Sequence, residues 1–159
     1  MSILAAALPL ETLEESGASI EPITETVTAA TVGGYFPLMW LIIALPAFGA
    51  AVLILGGRRT NSWGPILACI LPVGSFILAS VLLAGMMAQP EEGRLIVLDL
   101  WNWVFAGSFD VEFALRLDPL SISFVMLITG VGSLIHIYSL GYMADDPDKR
   151  RFMGYLNLF

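Results

Sequence analysis

Charge is scarce in this sequence. Only 13% of its 159 residues are Asp, Glu, Lys or Arg, against about 25% in an ordinary soluble domain. Basic residues are scarcer still, seven against fourteen acidic ones. The resulting net charge of -7 leaves no basic surface for phosphate backbones, so no nucleic-acid partner is expected. One cysteine cannot close an internal disulfide or complete a zinc site, and one histidine cannot build a multi-histidine metal cage. There is no Gly-rich phosphate loop after a strand, no paired-cysteine iron-sulfur spacing and no Ser-His-Asp constellation. No catalytic, cofactor-binding or metal site is expected in the chain itself, and no redox chemistry.

What is abundant is apolar surface: 57% of the residues are hydrophobic, against roughly 45–50% in an ordinary soluble protein. The charges are gathered into blocks, and none falls within 26–57, 60–90 or 119–144. A bilayer-spanning helix needs about 20 apolar residues, so these stretches predict three transmembrane helices, at about 35–55, 63–87 and 119–143. Tyr35, Phe36 and Trp40 suit the headgroup interface at the start of the first, which stops at the flexible basic turn Gly56-Gly57-Arg58-Arg59. The second opens on Trp63, with Pro65 near its start and Pro72 inside, where a missing N–H predicts a kink. The third follows Asp118 and ends before ADDPDKRR, with Tyr138 and Tyr142 near that end.

Residues 1–34 carry five acids, Glu11, Glu14, Glu15, Glu21 and Glu25, and no Lys or Arg, which argues against a secretory signal and its basic start. They read as an acidic exposed leader with helical fragments around 8–15, without assigned chemistry. Orientation follows from the bases in short loops. Arg58, Arg59, Lys149, Arg150 and Arg151 lie on one side of the predicted membrane, Arg94 and Arg116 on the other. By the positive-inside rule the first group are inner-side anchors, and the N-terminus, with residues 88–118, faces outward.

Within that outer loop, 109–118 alternates apolar and polar or small residues, the period of a strand. With the apolar run 95–104 before it and Gly107 and Ser108 between, it predicts a β-hairpin over about 95–117. A lone hairpin is marginal in water, so Trp101, Trp103, Phe109 and Phe113 need cover from helix ends, the interface or another subunit. At the other end, RFMGYLNLF begins a fourth apolar helix at about 152–159. From Phe152 it reaches only about 12 Å into a hydrocarbon core of about 30 Å. A helix stopping there would leave carbonyls without partners in lipid. The expectation is therefore an all-α polytopic membrane protein with three transmembrane helices, the start of a fourth and an outer-side hairpin, and a fragment of a longer chain.

The run LRLDPLSISFVMLITGVGSLIHIYSLGYMADDPDKRRFMGYLNLF at 115–159 carries a resemblance. Its pieces LDPLS, TGVGSLIHIYSLGYM and RFMGYLNLF resemble the N-terminal region of subunit L, the chain 5 type, of bacterial proton-pumping NADH:quinone oxidoreductase, respiratory complex I. LDGLS is the commoner form in that family, and Pro119 is a departure that a helix start accommodates. The resemblance implies an antiporter-like, many-helix subunit of the bacterial plasma membrane, embedded in lipid beside other membrane subunits, that couples quinone reduction to proton transfer. It further implies that NADH, flavin, iron-sulfur clusters and quinone belong to other subunits, and that the lysines and glutamates of the proton path lie beyond Phe159. Two alternatives stay open: the large subunit of a multisubunit sodium/proton antiporter, and a small structural membrane scaffold.

The one titratable imidazole in a predicted span is His136, about 25 Å along the third helix from Pro119, toward its inner end. At spacings of three and four it shares a face with Thr129, Gly132, Ser133, Ser139 and Leu140. Interhelical packing is one reading, and a proton-path residue the other, since an ionisable group inside a bilayer is a functional candidate. Asp118 is expected to be the N-cap of the third helix. Glu91, Glu92, Asp99, Asp110 and Glu112 read as solvated charge, the acidic-to-basic run 145–151 as an inner-side hinge, and Cys69 as a small packed residue.

Overall fold

The computed structural model describes residues 27–28, 33–106 and 109–159, with side chains described over 33–104 and 111–159. The rest of the leader, the hairpin tip at Gly107 and Ser108 and the Phe109 side chain lie outside the described residues. Among the described residues three helices are long and apolar enough to cross a membrane. A 3-10 turn at Phe36–Leu38, with Pro37 at its start where no N–H is required, leads into α1, Leu41–Leu55. The apolar run expected from residue 35 is therefore divided into a turn and a helix.

Helix α1 ends at Gly56 and Gly57. Gly57 has φ +60, a left-handed conformation that glycine adopts without a Cβ penalty. A 3-10 turn, Gly57–Thr60, then reverses the chain into α2, Gly64–Met87. The chain next forms strands β2, Ile96–Ala106, and β3, Phe109–Leu117, followed by α3, Pro119–Tyr142, and α4, Lys149–Leu158. Helix α4 begins three residues before the expected 152, because the basic residues occupy its first turn instead of preceding it.

Strands β2 and β3 pair antiparallel from Ile96↔Leu117 to Ala106↔Phe109. Register shifts lie between Asp99 and Trp101 and between Asn102 and Val104, which leave Leu100 and Trp103 as extra residues on β2. The hairpin is not alone. Val27–Thr28, strand β1, pairs parallel with Ile96 and Val97 and makes a third strand. Two spans separate β1 from β2, an even number, so both strands fall on one side of the helices.

The hairpin's apolar face divides along its length. At the base, Ile96 and Leu117 are buried with Phe36, Met39, Ile42, Leu82, Met86 and Ile122, in a core where the helix ends cover the strands. Farther out, Trp101 and Phe113 stack at 4.7 Å with Trp103 at 6.0 Å, and all three remain exposed. A second core lies at the opposite end of the helices, with Leu53, Ala68, Cys69 and Met153 buried together. Small residues let α4 approach α1 there. A Cβ on Gly154 would stand 3.2 Å from Ile54 and 3.3 Å from Leu53.

Candidate functional site: a polar cluster at two proline-broken helices

Each long helix before the hairpin contains an internal proline, Pro46 in α1 and Pro72 in α2. A proline at position i has no N–H for the carbonyl at i-4, so Pro46 frees the carbonyl of Ile42 and Pro72 that of Ala68. In a bilayer a free carbonyl requires a donor from protein. Ser75, buried on α2, donates its hydroxyl to Ile42 at 3.0 Å. Asn157, buried on α4, donates through Nδ2 to Ala68 at 3.3 Å and to Met153 at 3.3 Å. Polar side chains on adjacent helices thus supply the two bonds the prolines removed.

Ser75 and Asn157 border a half-open pocket of about 760 Å³, lined also by Pro46, Pro72 and His136 among mostly apolar neighbours such as Ile42 and Ile135. His136 of α3 is 5% exposed, and its Nδ1 lies 2.7 Å from the Gly132 carbonyl. A carbonyl only accepts, so Nδ1 carries the hydrogen. The His136 carbonyl accepts from the Cys69 thiol at 3.3 Å, which ties α3 to α2. Among the described residues, two buried side-chain atoms of this cluster have no hydrogen-bond partner: His136 Nε2 and Asn157 Oδ1.

The helix face predicted around His136 is only partly brought together. Ser133, His136 and Ser139 are buried, whereas Leu140 is exposed. Thr129 and Ser133 turn their hydroxyls back to Val125 and Thr129, each at 2.6 Å, within their own helix. Asn157 and Ser75 were not singled out by sequence. The signal that points to them is the i-4 carbonyl of each internal proline, which calls for a donor on a neighbouring helix.

At the entrance of α3, Asp118 sits at the N-cap with φ -129 and ψ 169. Its Oδ1 accepts from the Ser121 N–H at 2.6 Å, and its own N–H donates to Ser121 Oγ at 2.7 Å, a reciprocal capping box. The backbone bond from Ser121, then that from its hydroxyl, hold the Asp118 carboxyl below its ordinary value of 3.8, with the Arg116 charge a smaller cause. The Arg116 Nε lies 3.5 Å from Asp118 Oδ2.

The basic residues occupy different environments. Arg58, Arg59 and Arg151 are exposed, and Lys149 Nζ donates to the Ala144 carbonyl at 3.0 Å. Arg150 lies deeper than these. It is buried, and its Nη1 donates to the carbonyl of Leu53 and lies 3.5 Å from that of Ile54. Those carbonyls belong to the last turn of α1, where the helix dipole favours a cation. Glu91, Glu92, Asp99 and Glu112 are exposed, the Asp110 side chain lies outside the described residues, and Arg94 pairs loosely with Glu91 at 3.9 Å. Among the described residues no three His, Cys, Asp or Glu converge as metal ligands.

Fold and site together define a mostly helical chain with three membrane-length helices, a hairpin between the second and third, and polar groups buried where the helices are broken. Residues 103–153 match the family model of the NADH-Ubiquinone oxidoreductase (complex I), chain 5 N-terminus. The chain is 53% identical over 120 residues to NADH-quinone oxidoreductase subunit L of Mycobacterium tuberculosis, covering 76% of this chain and 19% of that protein. It is 35% identical over 124 residues to subunit L of Escherichia coli, covering 77% and 20%. It is also 35% identical over 129 residues to NAD(P)H-quinone oxidoreductase chain 5 of a Synechocystis species, covering 78% and 19%. The chain is similar to subunit L, or chain 5, and spans about a fifth of the length of the curated relatives it matches. The likeness thus extends well beyond the last quarter, which carried it in the sequence.

Proposed function

We propose that this chain forms the N-terminal part of an antiporter-like membrane subunit of a proton-translocating NADH:quinone oxidoreductase in the bacterial plasma membrane. The observation that carries this reading is the 53% identity over 120 residues to a subunit L. In this reading NADH, flavin, iron-sulfur clusters and quinone are handled by other subunits. The chain contributes membrane scaffold within the lipid bilayer, beside other membrane subunits of the complex. Electron transfer elsewhere changes the charge of buried groups, and protons cross in steps. His136 belongs to that proton path, supported by its burial and by an Nε2 without a hydrogen-bond partner among the described residues.

The N-terminus, the three strands and residues 88–118 face outward, and Arg58, Arg59, Lys149, Arg150 and Arg151 lie on the inner side. The five-to-two division of bases supports this orientation. In intact spheroplasts carrying the full-length subunit, Glu92→Cys is expected to react with a membrane-impermeant maleimide and Arg59→Cys is not; the opposite pattern reverses the orientation. Membrane vesicles lacking the full-length subunit are expected to lose NADH-driven proton uptake and to recover it on complementation. Undiminished uptake without it overturns the proposed function, and uptake that requires sodium and no NADH points to the sodium/proton antiporters instead. His136→Gln is expected to slow uptake in a normally assembled complex; an unchanged rate removes His136 from the path.

A further inference from the structure

We infer that the joined ends of α1 and α4 form a docking surface for anionic phospholipid headgroups, with Arg58, Arg59 and Arg151 supplying the positive charge. This requires that the helices cross a bilayer. It depends neither on which side they face nor on any role of His136.

The two ends of the helices treat their bases differently. At the hairpin end both bases stand beside a carboxylate, Arg94 at 3.9 Å from Glu91 and Arg116 at 3.5 Å from Asp118. At the other end, among the described residues, none of Arg58, Arg59, Lys149, Arg150 and Arg151 has a carboxylate partner. Acids are close by in sequence, since Asp145, Asp146 and Asp148 directly precede α4. They are not used to pair these bases: Asp146 turns its Oδ1 to the Asp148 N–H at 2.6 Å. Lys149 Nζ instead bonds the Ala144 carbonyl at 3.0 Å, which carries no net charge. Five bases against three acids leave this end positive.

Packing gathers the bases at one place. Arg150 Nη1 bonds the Leu53 carbonyl and a Cβ on Gly154 would stand 3.2 Å from Ile54, so the first turns of α4 lie beside the last turn of α1. Arg58 follows Leu53 by five residues, about 8 Å at helical rise. The turn that carries it is compact: Thr60 is buried and donates to the Gly57 carbonyl at 3.0 Å. Arg58, Arg59 and Arg151 are all exposed there. Arg150 is only 8% exposed and does not itself reach a headgroup. It pins α4 to α1 and adds a charge that only carbonyl dipoles offset. Trp63 before α2 and Tyr155, one turn after Arg151, are exposed at the same end, the side chains that favour headgroup level. Leu55 and Phe152 are exposed beside the bases. A lipid matches both features, phosphate to the guanidinium groups and acyl chain to the apolar side chains, whereas an acidic peptide answers only the charge.

The test is photolabelling of the complete complex in vesicles of mixed phosphatidylglycerol and phosphatidylcholine, with one lipid or the other carrying a photoreactive group beside its phosphate. Peptides over 54–63 and 149–155 are expected to be labelled at least about tenfold more by the phosphatidylglycerol probe, since each base near a membrane surface contributes about fivefold. The preference should fall to about parity in the combined Arg58→Gln, Arg59→Gln and Arg151→Gln variant and persist when the same three are changed to Lys. If the combined Gln variant fails to assemble, Arg58→Gln and Arg151→Gln singly decide, each lowering the preference about three- to fivefold. Equal labelling by both probes in the wild type overturns the docking surface, as does a preference undiminished in the Gln variants. Absence of label from both probes shows that protein covers this end, and also overturns it. Labelling erased by inorganic phosphate but not by chloride at equal ionic strength makes this a free-anion site and overturns the lipid. Both leaflets carry the probe, so a reversed orientation or an unaltered proton uptake leaves the expected result unchanged.

Discussion

Two charged residues do their work on helix ends, and each gives a measurable expectation. The Asp118 carboxyl is held below its ordinary value by the Ser121 backbone and hydroxyl. A lowered carboxylate stabilises the folded state above the unfolded value, and that contribution is lost as pH falls through the lower folded value. Asp118→Asn, which still caps, should therefore abolish this acid-linked loss while changing stability little near neutrality; Asp118→Ala should cost about 1 kcal/mol at neutral pH. Thermal midpoints at neutral pH and below 3.8 measure both. The half-open Arg116 pair should add little, as exposed ion pairs do. Arg150 is a different case because it is buried against backbone carbonyls. Arg150→Ala leaves the Leu53 carbonyl unpaired and should cost about 1.5–3 kcal/mol, with Arg150→Lys recovering part, read as resistance of the assembled subunit to denaturing detergent. Equal resistance in Arg150→Ala and wild type would refute the cap.

At the scale of the helix, the pairing of each proline with a donor on another helix makes α1, α2 and α4 interdependent. Ser75→Ala should strand the Ile42 carbonyl and cost about 1–3 kcal/mol. Pro46→Ala restores an N–H four residues after Ile42, so in the Ser75→Ala background it should be stabilising, and the two changes should be non-additive. A double-mutant cycle under the same detergent challenge measures this, and simple additivity would show that the Ser75 bond is incidental. The hairpin shows a different form of dependence. Its base is held by helix-end side chains such as Met86 and Ile122, while its outer half stands exposed with Trp101, Trp103 and Phe113 stacked. The period of two in 109–118 made β3 readable, whereas the extra residues Leu100 and Trp103 break that period in β2. The parallel addition of Val27–Thr28 could not be read from two residues in an acidic leader, because a strand that short has no pattern of its own.

For the whole molecule, membrane residence follows from surface. Along the most apolar window of α3 only 17% of residues are buried, and Phe124, Leu127, Ile128, Leu134 and Ile137 are exposed. Such a face needs lipid or further protein around it. The protein is expected to stay with the membrane pellet through an alkaline carbonate wash and to leave only with detergent; release by carbonate alone would exclude spanning helices.

The number and approximate position of those helices were determined by the sequence itself, because charge is too costly in hydrocarbon to be scattered and its absence over about 20 residues is a long, one-dimensional signal. The entrance of α3 was equally local, since Asp118, Pro119 and Ser121 lie within one turn. Which polar residues meet was decided only by tertiary structure. Asn157 stands 85 residues from Pro72 and 21 from His136 along the chain, and nothing in the spacing sets the packing that brings α4 against α2. Arg150 shows the same limit. A basic residue beside a membrane helix reads as an inner-side anchor, but only packing decides which carbonyl it meets, here one 97 residues away in sequence. Burial of polar groups is a property of where helices cross, and that depends on the fit of side chains in three dimensions, which no local pattern encodes.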